Sequence, residues 1–151
     1  MRELQPRSVA VVACAAEPRA LDALVAPGHG SRVVRTAPDE LLVVAAADVA
    51  DTVEREVRDR IAAVDADALV LDASDGWQAW ALRGDDVPAA LSYLSALEAP
   101  PPGGWVQGDV ARVGAIVLGE DDGVTILAPA FHGAHVRERA LEDASATERH
   151  G

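Results

Sequence analysis

Ala68-Leu-Val-Leu-Asp72-Ala-Ser74-Asp75-Gly-Trp77-Gln-Ala-Trp80-Ala-Leu-Arg83-Gly84-Asp85-Asp86 decides how the chain is read. Its apolar run Leu69-Val70-Leu71 predicts a buried strand, and Asp72 to Gly76 carries the small and acidic residues that turn a chain. A second extended segment follows from Trp77 to Leu82. Gly84 breaks it, and Asp85 and Asp86 offer side-chain oxygens to cap a helix starting near Val87, with Pro88 in the first turn, where its missing N–H is no loss. The order is strand, acidic turn, strand, glycine break, capped helix. Taken alone it specifies architecture and no chemistry.

Upstream, Ser8 to Ala13 accumulates valine and predicts a strand, while Glu17 to Val25 has the spacing of a short helix that Pro27-Gly28-His29-Gly30 ends. Arg32 to Thr36 and Leu41 to Ala46 form a hairpin through Ala37-Pro38-Asp39-Glu40. The second of these runs is apolar throughout, so both its faces should be covered. Asp48 to Val64 is the clearest helix, with Val49, Val53, Val57 and Ile61 on one stripe, Asp48 as cap and Glu54/Arg58 and Glu56/Arg60 pairs on the wet side. Downstream, Val87 to Leu97 predicts a helix stopped by Pro100-Pro101-Pro102-Gly103-Gly104. Val110 to Leu118 and Val124 to Ala128 make another hairpin, a last helix runs from about Gly133 to Ala144, and the tail Ser145 to Gly151 should fray as a disordered end.

The two hairpins match. Sliding the chain by 83 residues places Val34 on Val117, Asp39 on Asp122 and Ala45 on Ala128. Each half then reads β-α-β-β-α, with pseudo-repeats 8–64 and 67–144. The expected fold is α+β, two ferredoxin-like units within a single domain over 1–144, because each half is too small to bury much alone.

Composition narrows the chemistry. Thirteen arginines stand against 25 acidic residues, with no lysine, for a net charge of -12. Lysine Schiff-base chemistry and a P-loop lysine are therefore excluded, and a nucleic-acid surface would need a basic stripe that the charge balance opposes. Met1 to Arg7 is charged and lacks the apolar core of a signal peptide, and no run approaches the roughly 20 apolar residues that span a bilayer. Cys14 is the one cysteine, set in an apolar run, so it predicts a buried structural thiol in a reducing, cytoplasmic setting.

Few residues offer a site. Asp72 and Asp75 are paired acids, but a turn uses such residues simply to accept backbone hydrogen bonds. Ser74 has neither a neighbouring histidine nor the Gly-x-Ser-x-Gly setting of an activated nucleophile. His132 and His135 stand three apart and make half a metal site at best, and nothing brings His29 to them, so no metal is expected. Trp77 and Trp80 fall on opposite faces of a regular strand, which predicts one in the core and one toward the surface, where a partner contact would use it.

The segment Leu71-Asp72-Ala-Ser74-Asp75-Gly-Trp77, then Leu82-Arg83-Gly84 and the helix carrying Ala90 and Leu91, resembles the gamma subunit of heterotetrameric sarcosine oxidases, within the wider group of aminomethyltransferases and folate-binding proteins. Gly104 to Val117 and Asp122 to Ala130 resemble that family's later strands, so the likeness covers Leu69 to Leu141. It implies an aminomethyltransferase-like, folate-binding-type domain, cytoplasmic, acting as a non-catalytic structural subunit in sarcosine catabolism. FAD, FMN, NAD and tetrahydrofolate would sit on the partner alpha, beta and delta subunits and none on this chain. Asp72, Ser74, Asp75, Gly76, Trp77, Trp80, Arg83 and Gly84 would serve as family motif or partner interface. The rival is a stand-alone tetrahydrofolate-binding or aminomethyltransferase-related protein using Asp72 or Asp75 on the pterin.

Overall fold

The computed structural model describes residues 5–84 and 87–130. In chain order the elements are β1 (Gln5–Arg7), β2 (Val9–Ala15), α1 (Pro18–Asp22), β3 (Arg32–Ala37), β4 (Glu40–Ala46), α2 (Ala50–Ala62), β5 (Leu69–Asp72), β6 (Trp77–Arg83), α3 (Val87–Leu94), β7 (Trp105–Val110), β8 (Val113–Glu120) and β9 (Gly123–Pro129). Single 3-10 turns, Ala47–Val49 and Ser74–Gly76, precede α2 and β6. The capping role expected of Asp85 and Asp86, the helix expected over 133–144 and the tail over 145–151 lie outside the described residues. The strands and helices form two compact units, Ser8–Asp75 and the residues on either side of it.

In the unit Ser8–Asp75 the sheet order is β3-β4-β2-β5, every pair antiparallel. With β2 as the first strand of the unit this is the split β-α-β arrangement of a ferredoxin-like fold. The helix α2 lies on the sheet because Val53, Val57 and Ile61, one turn apart, are each fully buried with Val12, Cys14, Leu41, Val43 and Val70. Burying such side chains stabilises by about 1.5 to 3 kcal/mol each. The run Leu41–Ala45 is buried at every position, as its unbroken apolar sequence requires, with Leu42 and Val44 on the face away from α2. One expectation is corrected. The residue capping α2 is Val49, with no side-chain hydrogen bond, because Asp48 is drawn into the preceding 3-10 turn. The first unit runs on to Asp75 because β5 pairs with β2.

The other unit repeats that order. Its sheet is β1-β6-β9-β8-β7, also antiparallel throughout. Strands β6, β9 and β8 occupy the places of β2, β4 and β3, so the hairpins matched in sequence are the matched hairpins of the fold. The place of β5 is taken by β1, from the beginning of the chain, and β7 is an added edge. Helix α3 covers one face through Val87, Ala90, Leu91 and Leu94, which pack with Trp80, Leu82, Val117, Val124 and Ile126. The short strand β1 is tied by a side chain as well as by backbone. Arg7 donates through Nη1 to Thr125 Oγ1 at 2.8 Å and to Glu120 Oε1 at 3.1 Å, and Thr125 in turn donates to Glu120 Oε1 at 3.0 Å. Thr125 is the buried polar side chain among the described residues, and this network satisfies it.

The proline and glycine run between α3 and β7 is more than a helix stop. Gly103 donates its N–H to the carbonyl of Gly119, and the N–H of Gly119 to the carbonyl of Gly104. A Cβ at Gly119 would lie 2.0 Å from the carbonyl oxygen of Pro101 and 2.6 Å from that of Pro100, a clash with backbone that no side-chain rotation relieves. Gly119→Ala is therefore expected to destabilise the protein by about 3 kcal/mol, at the upper end for overpacking. Urea denaturation of the purified variant, compared with Gly114→Ala at a position with open space around it, checks this.

Candidate functional site

The acidic turn closes the edge of the first sheet. The ladder between β2 and β5 runs to Val12 opposite Asp72 and continues one step further, where the N–H of Ala73 donates to the carbonyl of Val11 at 2.8 Å. The chain then leaves the sheet, and the N–H of Val11 would lose its partner. Ser74 supplies it: its Oγ accepts from the Val11 N–H at 2.9 Å. The same hydroxyl donates to Asp72 Oδ1 at 2.5 Å, and that oxygen also accepts the N–H of Ser74 at 2.9 Å. Asp72 thus caps the 3-10 turn Ser74–Gly76 and Ser74 finishes the ladder, a side-chain hydrogen bond standing in for a backbone one.

These bonds determine the electrostatics. The Ser74 hydroxyl first, and the Ser74 backbone N–H second, hold the Asp72 carboxyl below its ordinary range. That is the reverse of what a general acid at neutral pH requires. The Ser74 hydroxyl has its proton committed to a carboxylate and its lone pair to Val11. Asp75 is exposed within the turn, beside Gly76.

The remaining predicted residues lie along β6. Trp80 is only 4% exposed and packs among Leu82, Leu91 and Ile126, whereas Trp77 is half-buried, so the tryptophan that belongs to the core is the second of the pair. Arg83 reaches Asp122 at 3.5 Å, with both side chains largely in solvent. Gly84 adopts φ 102°, and its N–H donates to the carbonyl of Asp122 at 3.0 Å, so the break after β6 needs a glycine. The stretch is thus a connected run of turn, strand and turn in which Ser74 and Gly84 bond to backbone and Arg83 pairs with the Asp122 side chain.

Elsewhere, His29 meets Glu56 Oε1 through Nε2 at 3.4 Å in a loop where Gly28, His29 and Gly30 all have positive φ. His132, His135 and His150 lie outside the described residues. Among the described residues no three histidine, cysteine or acidic side chains gather as metal ligands, and no helix is long and apolar enough to cross a membrane. Cys14 is buried in the α2 core, and burial, with the Asp65 charge adding to it, pushes the thiol up and away from reactivity. An open apolar depression of about 310 Å3 lies between α1 and α2, lined by Leu24, Val25, Arg60, Ile61 and Val64 among others. The sequence did not point to it, and it includes neither Asp72 nor Asp75.

Two outcomes test the turn. Ser74→Ala removes the partner of a ladder N–H and is expected to cost about 1 to 2 kcal/mol, read as a lower urea midpoint with unchanged slope. Because folding lowers the Asp72 carboxyl, its contribution is present above the unfolded-state value of about 3.9 and fades as the pH falls through the folded-state value. The stability gap between the wild type and Asp72→Asn should therefore be open at neutral pH and close under acid conditions. A gap independent of pH contradicts the assignment.

No known protein family's sequence profile matches the chain, and no curated protein matches it in sequence. Solved structures match in fold. The heterotetrameric sarcosine oxidase from Corynebacterium sp. U-96, solved with pyrrole 2-carboxylate, contains a chain that superposes with a TM-score of 0.76 at 17% identity, over 96% of this chain and 84% of that one. The glycine cleavage system aminomethyltransferase T from Bartonella henselae superposes with a TM-score of 0.69, also at 17% identity, over 93% of this chain but 45% of that one. The chain thus spans less than half of the aminomethyltransferase. Its mixed α+β architecture, with two antiparallel sheets, is the fold these sarcosine oxidase and aminomethyltransferase chains share.

Proposed function

We propose that the chain is a structural subunit, of the gamma kind, in a heterotetrameric flavoprotein complex that oxidises an N-methylated amino acid. The observation that carries this reading is the extent of the match: nearly the whole chain corresponds to nearly the whole of one chain in a heterotetrameric oxidase. The geometry of the acidic turn supports it. Asp72 and Ser74, the side chains with most claim to chemistry, are occupied in completing a sheet edge.

In this reading the alpha, beta and delta partners hold FAD, FMN, NAD and tetrahydrofolate, and the complex works in the cytoplasm. The chain itself binds no cofactor and contributes surface, with the motif from Asp72 to Gly84 setting the shape of what it presents. A free-standing folate-binding or aminomethyltransferase relative is the second reading, favoured by the likeness to aminomethyltransferase T. The chain corresponds to under half of that enzyme, and folate would then have to be gripped by Asp72 or Asp75 from a turn.

Co-expression with the products of the adjacent reading frames is expected to yield a yellow complex in which this chain co-purifies in fixed ratio with flavin absorbance. Purified alone, it should neither oxidise sarcosine nor transfer a one-carbon unit. Saturable quenching of its tryptophan fluorescence by tetrahydrofolate, abolished in Asp72→Asn or Asp75→Asn, would overturn the subunit reading in favour of the second.

A further inference from the structure

One corner of the first unit's sheet is apolar and open to solvent. Val70 turns toward α2 and is buried with it, so its neighbours Leu69 and Leu71 stand on the opposite face, 58% and 42% exposed. Their cross-strand partners are Ala15 and Ala13, the first exposed and the second half-buried. The same face is closed further along, where Val11 and Leu42 are buried. Two large aliphatic side chains on one face of an edge strand are costly to leave in water, at about 25 cal/mol per Å2.

The surroundings say what kind of surface would cover this corner. Glu40 pairs opposite Ala15 on the other side of β2 and Asp67 precedes Leu69 by two residues, both exposed. A second copy of a chain with net charge -12 would bring these carboxylates against each other. Strand addition along β5 is blocked as well. The strand has four residues, and the carbonyl of Val70 already accepts from Arg58 Nη2 at 2.9 Å. What fits is a side-chain surface of opposite charge.

We propose that Ala13, Ala15, Leu69 and Leu71 form the docking face for a protein partner whose matching surface is apolar and ringed by arginine or lysine side chains. The proposal rests on the subunit reading and deepens it by assigning the face through which the flavoprotein partner is held. Leu69 and Leu71 are the anchors, and the carboxylates accelerate encounter and exclude self-association.

The test is co-expression of the full chain with the adjacent flavoprotein frames, reading flavin absorbance per chain after purification. Leu69→Asp/Leu71→Asp, placed at exposed positions, should melt as the wild type does and lose about tenfold or more of the co-purifying flavin. Asp67→Arg should lower the yield at about 50 mM salt and lose its effect near about 500 mM. If the double variant does not fold, Ala15→Glu at the exposed end of β2 is read in the same way. A folded variant that keeps its flavin within twofold of the wild type overturns the docking face while leaving the subunit reading intact. A wild-type homodimer that the double variant turns into a monomer also overturns it, by making a second copy the occupant. A wild-type chain that carries no flavoprotein at all removes the subunit reading, and this inference with it.

Discussion

The central strands of both sheets have no side left for water. In β4 five consecutive residues, Leu41 to Ala45, are buried, and in β9 another five, Val124 to Ala128. With aromatic residues at 3% of the chain, these interiors are filled by Ala, Val, Leu and Ile, whose branched and small side chains suit a pleated surface covered on both faces. A carboxylate admitted there would need a partner worth several kcal/mol. The acidic excess is therefore expelled to turns, strand ends and the outer faces of helices. Thr125 is the polar side chain buried among the described residues, and it is accepted because Arg7 and Glu120 satisfy it.

This sorting explains why the most acidic-looking candidate is a piece of scaffold. A strand end is where a carboxylate can stand in water and still reach a backbone N–H. At Asp72 and Ser74 the two side chains repair the point where the ladder runs out, and the bonding depresses the carboxyl. A protein whose polar groups are consumed in this way is suited to offering a shaped face, and the subunit reading asks that of it.

Much of the fold was legible because its longest elements obey one period cleanly. The i, i+4 stripe Val53, Val57, Ile61 identified α2, and the two hairpins were found by their apolar runs and by their match to one another. What escaped did so for identifiable reasons. Gln5-Pro6-Arg7 has no apolar alternation and is exposed at each position, so nothing local marks it as β1, and its pairing with β6 is purely tertiary. The tight turn between β7 and β8 places Ala111 and Arg112 at φ 52° and 66°, where Asn or Gly is the usual signal, so the strand expected over Val110 to Leu118 runs through the turn and omits most of β7. Asp48 looked like a cap, yet an extra 3-10 turn displaced it by one residue. In the acidic turn, the residue types announced a bend. They did not announce that Ser74 would reach the amide of Val11, because that contact spans 63 residues.

The placement of β1 has a consequence for how the molecule is made. Residues 5–7 leave the ribosome well before Trp77–Arg83, the strand against which they lie, and protein synthesis adds only about 5 to 20 residues per second. Ser8–Asp75 can close upon itself while translation continues, since every strand of its sheet has by then emerged. Residues 5–7 have no strand to pair with until Trp77–Arg83 arrives. Joining them to Trp77–Arg83 closes a loop that contains the whole of Ser8–Asp75, a unit whose own sheet can already be complete when that closure occurs.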